Sequence, residues 1–281
     1  MRSHQGKHNI ARTLPIQMVN QEIHEMSRQL SGNEMILVLE RGADFSISPP
    51  PLTAETPSIR ILKTSEDEVR VRCNRSDAEK LLMDPAVVLG IWIENVVATA
   101  NLGQMVDLEL VKASMEEAEY ERERFPGLVL RLDNDSGTAT FLVFKSGRVV
   151  CPGYQSVRTL RAALSLLCAR LRELGALKAM ETPPSVEIVN LVAQVMLKGK
   201  INVEACAEEL KGIIYEPTMF PGAIYRITEP VKAAFLLFKS GKVICGGAKS
   251  EEELKTAATA LNKLLIEQRL LRRALSPHIP L

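Results

Sequence analysis

The chain contains an internal repeat from about residue 89 onward. The segment at 125–131 (FPGLVLR) recurs at 220–226 (FPGAIYR), an offset of 95 positions (220 − 125). A second segment at 141–151 (FLVFKSGRVVC) recurs at 235–245 (FLLFKSGKVIC), an offset of 94 (235 − 141). This period is far longer than that of a solenoid repeat. The repeat therefore predicts a duplicated half-domain with a pseudo-twofold axis.

Each copy shows the same order of predicted elements: a long strand, a short helix, several short strands and a long helix. Apolar and β-branched residues at 91–99 and 186–196 predict the long strands. Apolar side chains recur every three or four residues in the last segment of each copy, which predicts an amphipathic helix. They are Val157, Leu160, Leu164, Leu167, Leu171 and Leu174 in the first copy and Leu254, Ala258, Leu261 and Leu265 in the second. This pattern predicts an α+β fold in which helices cover one face of a sheet.

The first 85 residues share no motif with the repeats. The proline-rich stretch at 46–58 indicates a linker, and residues 59–73 predict a hairpin that turns at 66–68. We therefore expect a partly disordered N-terminal extension and a core of two repeats, followed by a short tail. The boundaries are 1–85 for the extension, 86–180 and 181–274 for the repeats, and 275–281 for the tail.

Composition narrows the possible classes of protein. With 46% apolar and 25% charged residues, the chain is typical of globular proteins. It has no long uninterrupted apolar run, so we expect no signal peptide or membrane span and a soluble intracellular protein. The five cysteines are dispersed and lack paired spacing, which favours buried thiols over disulfides or a zinc site. A net charge of +1 means that any DNA affinity depends on a local pattern.

Six of the seven phenylalanines occupy matched positions in the two copies. They are Phe125, Phe141, Phe144, Phe220, Phe235 and Phe238. Phe141 and Phe144 are three residues apart in a predicted strand, so they face opposite sides of the sheet. Aromatic residues usually belong to the core, but Phe125 and Phe220 precede Pro-Gly, and Phe144 and Phe238 precede Lys-Ser-Gly. Exposed apolar wedges at such strand ends suit insertion between base steps from the DNA minor groove.

Polar residues on the first strand of each copy also recur. Asn95, Val97 and Thr99 share one face, and Asn190, Val192 and Gln194 are their equivalents. An asparagine amide can donate to the acceptors that A·T and T·A pairs both present in the minor groove, although a strand asparagine is more often a turn or edge residue. Matched cations suit phosphate contacts or, equally, a solvated surface. They are Arg131 with Arg226, Arg148 with Lys242, and Lys145 with Lys239.

These residues resemble the core of the TATA-box-binding protein family, in which FPGxxYR is followed by LxFxSGKV and then GAKS. The three motifs stand here at 220–226, 236–243 and 247–250, and the resemblance covers roughly residues 89–271. It implies a duplicated, saddle-shaped, curved antiparallel sheet with helices on the convex face and duplex DNA under the concave face. It also implies a nuclear protein, or a cytoplasmic one if the source is archaeal.

The resemblance assigns roles residue by residue. Phe125, Phe144, Phe220 and Phe238 would be the wedges, and Asn95 and Asn190 the minor-groove amides. Val97, Val192, Val150 and Ile244 would line the groove. Glu216 and Met219 would meet a transcription factor IIB-like protein. A IIA-like protein and the RNA polymerase machinery are the other implied partners, with no cofactor or metal.

Two features depart from the family pattern. Pro152 and Gly246 stand where the family places threonines, and the loop at 133–135 is acidic. A proline also cannot donate to a strand ladder. We therefore expect a DNA-bending initiation factor with a relaxed preference for TATA sequences.

Two other functions stay open from the residues. One is a scaffold that acts mainly through protein partners and binds DNA weakly. The other, less favoured, is an enzyme on this saddle, because the four histidines lie near the termini and no nucleophile–base pair is evident.

Overall fold

The computed structural model describes residues 34–40, 59–65, 67–73, 75–134, 137–179 and 182–272. The predicted linker at 46–58 and the tail at 275–281 lie outside the described residues. The N-terminal part contains β1 (Glu34–Leu39), β2 (Ile59–Thr64), β3 (Glu68–Cys73) and α1 (Arg75–Leu82).

Both repeats follow the predicted order of elements. Repeat 1 contains β4 (Val87–Asn101), α2 (Leu108–Ser114), β5 (Ala118–Glu119), β6 (Gly127–Asn134), β7 (Gly137–Phe144), β8 (Arg148–Tyr154) and α3 (Val157–Glu173). Repeat 2 contains β9 (Ser185–Leu197), β10 (Lys200–Ile201), α4 (Val203–Glu209), β11 (Ala223–Ile227), β12 (Ala233–Leu237), β13 (Lys242–Ala248), α5 (Glu251–Glu267) and β14 (Leu271–Arg272).

One large curved antiparallel sheet joins the two repeats, in the order β11-β12-β13-β9-β4-β8-β7-β6-β5. The long strands β4 and β9 pair at its centre, where Asn95 lies opposite Val192 and Val97 opposite Asn190. This exchange of equivalent residues places the pseudo-twofold axis between the two strands. The α+β fold with a duplicated sheet is therefore confirmed.

Helices α2–α5 lie on one face of this sheet. The side chains of Leu191, Ala193 and Val195 on β9 are fully buried, and they belong to the same core cluster as the apolar faces of α3 and α5. Each long helix begins at a serine N-cap, because Ser156 Oγ accepts from the Thr159 amide and Ser250 Oγ from the Glu253 amide. The two long helices therefore begin at equivalent positions of the two repeats.

The N-terminal residues that the structure describes extend this sheet. The hairpin predicted at 59–73 is present as β2 and β3, and β1 pairs with β3 on one side and β4 on the other. We call β1, β2, β3 and α1 the N-terminal module. Its apolar side chains form a second, smaller core, which includes Met35, Leu37, Val71, Ala78 and Leu82.

The five cysteines are free and buried, as the sequence predicted. Within the described ranges, none of the helices has the length and apolarity needed to cross a membrane. The same ranges hold no group of three or more side chains arranged to bind a metal ion.

Candidate nucleic-acid interface

The face of the sheet that α2–α5 leave uncovered carries the predicted site residues. Asn95, Val97, Asn190 and Val192 are half-buried and point to this side, whereas their strand neighbours Val96 and Leu191 are fully buried on the other. We call the side defined by these four residues the open face. Val150 on β8 and Ile244 on β13 are also half-buried. Val150 lies opposite Thr99, and Ile244 lies opposite Gln194.

The four predicted wedge phenylalanines form two contacting pairs. The ring centroids of Phe125 and Phe144 are 5.6 Å apart, and those of Phe220 and Phe238 are 5.9 Å apart, both with edge-on geometry. All four rings are half-buried, whereas Phe141 and Phe235 are fully buried, as strand alternation predicted. The strand order places the two pairs near opposite ends of the sheet.

Glycines in the two FPG motifs allow each pair of rings to meet. A Cβ atom at Gly127 would lie 2.7 Å from Cε1 of Phe125 and 3.0 Å from Cε1 of Phe144. At Gly222 the corresponding distances to Phe220 and Phe238 are 2.8 Å and 3.0 Å. A side chain at either position would force the rings to move, so the glycine of each FPG motif allows this close contact.

Backbone hydrogen bonds fix the orientation of both site asparagines. Oδ1 of Asn95 accepts from the Gly153 amide at 3.0 Å, and Oδ1 of Asn190 accepts from the Gly247 amide at 2.9 Å. Gly153 and Gly247 have φ of +85° and +96°, a conformation that favours glycine. Each glycine N–H is a donor, so it must face the acceptor Oδ1 of the asparagine and not Nδ2. Each asparagine Nδ2 group therefore remains a donor without a partner among the described residues.

The two departures from the family pattern differ in their structural consequences. The β7–β8 ladder has two paired positions and ends at Val150, before Pro152, whereas the β12–β13 ladder has four and includes Gly246 opposite Ala234. The missing proline donor explains the shorter ladder. Gly246 leaves room on the open face, since a Cβ atom there would have Val192 Cγ2 as its nearest neighbour, at 3.8 Å.

The matched cations differ in their partners. Nη1 of Arg131 pairs with Oε1 of Glu119 at 2.6 Å, whereas its equivalent Arg226 has no ion pair with any described residue. Conversely, Lys239 pairs with Glu204, and its hydrogen bond lowers the pKa of that carboxyl. Its equivalent Lys145 has no ion-pair partner within the described part of the chain.

The remaining predicted residues lie around this site. Arg148 is exposed and Lys242 is half-buried. Glu216 and Met219 lie in the turn before Phe220, where the amides of Met219 and Phe220 both donate to the Glu216 carbonyl. Met219 is 75% exposed, so its side chain lies at the surface of this turn.

Sequence reasoning missed three contributors to the site. Gly153 and Gly247 recur at an offset of 94 (247 − 153), which was a usable signal for their shared role. The pairing of Glu119 with Arg131 gave no sequence signal. Gln194, grouped with Asn190 and Val192 on the open face, is only 4% exposed, and its partner across the strands, Trp92, belongs to the core of the N-terminal module.

A duplicated half-domain with helices α2–α5 on one face, and two phenylalanine pairs around two oriented asparagine amides on the other, defines a saddle-type nucleic-acid-binding fold. The family model described as transcription factor TFIID, or TATA-binding protein (TBP), matches residues 90–174 and 185–268. The chain belongs to the TATA-box-binding protein family.

Three relatives illustrate the extent of this similarity. A TATA-box-binding protein of Pyrobaculum islandicum is 41% identical over 171 residues, which are 60% of this chain and 82% of the relative. One from Methanothermobacter thermautotrophicus is 40% identical over 179 residues, 63% of this chain and 95% of the relative. The solved structure of Methanococcus jannaschii TBP matches with 38% identity and a TM-score of 0.58, covering 63% of this chain and 98% of that one.

Proposed function

We propose that this protein is a general transcription initiation factor that binds duplex promoter DNA on the open face and bends it through the minor groove. The observation that carries this proposal is the matched geometry of two wedge pairs and two asparagine amides. The amides present N–H donors where the minor groove offers the A N3 and T O2 acceptors. The phenylalanine pairs stand where wedges would kink the duplex at both ends of the contact.

The proposal includes a relaxed preference for TATA sequences. Pro152 and Gly246 bring no hydroxyl to the open face where the family pattern has threonines. The bound DNA would then be selected mainly by its deformability, which the wedges exploit, rather than by further hydrogen bonds to base edges.

We further propose that protein partners of the transcription machinery dock at the turn before Phe220. Glu216 and Met219 are exposed there, and Met219 offers a flexible apolar side chain. A IIB-like factor is the proposed occupant, with IIA-like factors and RNA polymerase completing the assembly. Of the two locations inferred from the resemblance, the archaeal cytoplasm is favoured by the archaeal relatives, and the nucleus stays a prediction.

Fluorescence anisotropy on TATA-containing and scrambled duplexes across a salt series tests this proposal. The Phe220→Ala/Phe238→Ala variant should lose about 2–4 kcal/mol of binding free energy, on the scale of base–aromatic stacking. Ile266→Ala, an exposed apolar change on α5, is the control and should bind like the wild type. The ratio between the two duplexes measures the remaining sequence preference. If the wild type binds neither duplex at low salt, the DNA proposal fails and the partner scaffold replaces it.

A further inference from the structure

The N-terminal module lies on the open face, at one side of the central strands. On β9, Gln194 and Met196 follow Val192 on the open side, and their partners on β4 are Trp92 and Gly90. Gln194 and Trp92 are only 4% and 7% exposed. A part of the face that would otherwise meet solvent is therefore covered.

The pseudo-twofold equivalent of this covered strip is open. At an offset of 95, Trp92 corresponds to Glu187 (187 − 92) and Gln194 to Thr99 (194 − 99). Glu187 is exposed and Thr99 is half-buried, and the two residues lie opposite each other on β9 and β4. The two sides of the open face thus differ: one is bounded by the module, and on the other Glu187 is exposed.

Helix α1 is the part of the module that stands on the open face. A Cβ atom at Gly90 would lie 2.9 Å from Cδ2 of Leu82 on α1 and 3.2 Å from Sδ of Met35 on β1. Leu82 and Ala78 share the second core with Trp92. An α-helix with its side chains is about 10 Å thick, so α1 forms a wall along one side of the face.

Contacts with repeat 2 hold the wall in place. On the helix-covered side, Glu68 of β3 pairs with Lys255 of α5 at 2.7 Å, and Arg70 pairs with Glu251. Just after α1, Nζ of Lys198 donates to the carbonyls of Asp84 and Val87 at 2.7 Å and 3.0 Å, which ties the segment between α1 and β4 to the end of β9. The module is therefore anchored to α5 through β3, and the segment that follows it is anchored to repeat 2.

The wall lies outward from the centre of the site, in the direction in which a flanking DNA backbone would run. The two wedge pairs lie toward opposite ends of the strand order, so a groove seated on both crosses the strands and its width runs along them. Gln194 is three residues from Leu191 at the pseudo-twofold axis, about 10 Å at 3.4 Å per residue. The minor groove is about 6 Å wide before bending, so a flanking backbone would begin about 3 Å from the groove centre and extend outward toward the wall.

We infer that the N-terminal module is a side wall of the DNA-binding face, which contacts the sugar–phosphate backbone on the Gln194–Trp92 side only. This inference rests on the proposed binding of DNA to the open face. Because the repeats are related by a pseudo-twofold axis, they alone would contact the two sugar–phosphate backbones in the same way. The module makes the contact one-sided near the centre of the bound site.

Hydroxyl-radical cleavage from tethered iron–EDTA tests the wall in the full-length protein. Ser76→Cys and Met83→Cys place the probe at the two ends of α1, where both positions are exposed. Glu187→Cys probes the free side, and Ile266→Cys on α5 gives the background. The native thiols should not react, because burial raises the pKa of each, to about 12 for Cys151 and Cys245.

The expected result is cleavage near the centre of the bound site from the α1 probes and from Glu187→Cys, but not from Ile266→Cys. Cleavage from Glu187→Cys without cleavage from either α1 probe would overturn the wall and leave the proposed function intact. If no probe cuts although anisotropy shows binding, the DNA does not lie on the open face, and the proposed site fails with the wall.

Discussion

The two repeats have the same apolar and amide residues in the candidate site but differ in which cation forms an ion pair. In repeat 1, Arg131 is paired with Glu119 and Lys145 is unpaired among the described residues. In repeat 2, Lys239 is paired with Glu204 and Arg226 is the unpaired cation within the same ranges. The phenylalanine pairs and the asparagines correspond in the two repeats. The hydrogen bonds that the two asparagines accept are also of similar length, 3.0 Å and 2.9 Å. The groups that would meet the groove floor are thus alike in the two repeats, whereas the cations that would meet phosphates differ in their ion pairs.

The reason for the Arg difference is one residue. Glu119 on β5 lies opposite Val129 of β6, and Ile214 forms a bridge with Ile224 at the same place in repeat 2. A carboxylate beside Arg131 is therefore replaced by an apolar side chain beside Arg226. The difference teaches that an electrostatic contribution can be removed from one half of a pseudo-symmetric site without changing its fold.

The largest expected effect tests the part that the repeats share. In Asn190→Asp, the carboxylate can still accept from the Gly247 amide, but an acceptor replaces the Nδ2 donor. This new acceptor would face the acceptors of the minor groove. The substitution should therefore weaken DNA binding by about 2–3 kcal/mol, roughly 30- to 150-fold in Kd. Asn95→Asp should cost the same, as measured by anisotropy. Normal affinity in either variant would show that the amide does not face the groove.

The second prediction concerns the ion pair that joins the N-terminal module to α5 on the helix-covered side of the sheet. Burial would raise the pKa of the Glu68 carboxyl, but hydrogen bonds from Lys255 and Arg70 outweigh it, so its pKa is lowered. This carboxylate should stabilise the fold above the ordinary glutamate pKa, and the contribution should disappear as the pH falls through the lowered pKa.

Glu68→Gln should therefore lower the free energy of unfolding at pH 7 by about 1–2 kcal/mol, as for a charge-assisted hydrogen bond. The difference from the wild type should vanish in acid. Urea titrations at both pH values measure this, with Glu208→Gln on the exposed surface of α4 as the control. An equal loss at all pH values would contradict the ionic role of Glu68.

The third prediction exchanges the cation environments of the repeats. Glu119→Ile should free Arg131 and strengthen DNA binding, and Ile214→Glu should neutralise Arg226 and weaken it, each by about 0.5–1 kcal/mol. The slope of log K against log salt should become steeper in the first variant and shallower in the second, by up to about 0.9 for each phosphate that an arginine neutralises. If both variants keep the salt slope of the wild type, these arginines do not bind phosphates.

The smallest effect should come from restoring the hydroxyls. Gly246→Thr has room on the open face, and Pro152→Thr returns a backbone donor to β8. Stability should change by less than about 1 kcal/mol in each, as for most substitutions without steric conflict. The ratio of affinities for TATA-containing and scrambled duplexes should rise in the double variant. An unchanged ratio would assign the relaxed preference to another feature.

Much of the core was predictable because it depends on local patterns. Strand alternation separated Phe141 from Phe144, and helical periodicity located α3 and α5, since both signals lie within a few residues of sequence. Repetition then aligned the two halves. It also selected Asn95 and Asn190 as candidate site residues, because an asparagine in a single strand could equally be a turn or edge residue.

The N-terminal module was not predictable in the same way. Its hairpin was expected, but β1 pairs with β3 and β4, which lie more than 25 residues further along the chain. Nothing in 34–39 indicates these partners, because non-local pairing leaves no periodic signal. The burial of Gln194 follows from that pairing, as does the wall. Ion pairs such as Glu119–Arg131 depend on strand register, which is likewise fixed only by the fold.

The most direct test of the central claim is the bend itself. Energy transfer between dyes at the two ends of a short duplex reports its end-to-end distance, and wedge-driven kinks would shorten that distance on binding. The account predicts shortening by the wild type and a partial loss of it in both Phe125→Ala/Phe144→Ala and Phe220→Ala/Phe238→Ala. Binding by the wild type without any shortening, or full shortening in both double variants at saturating protein, would contradict it.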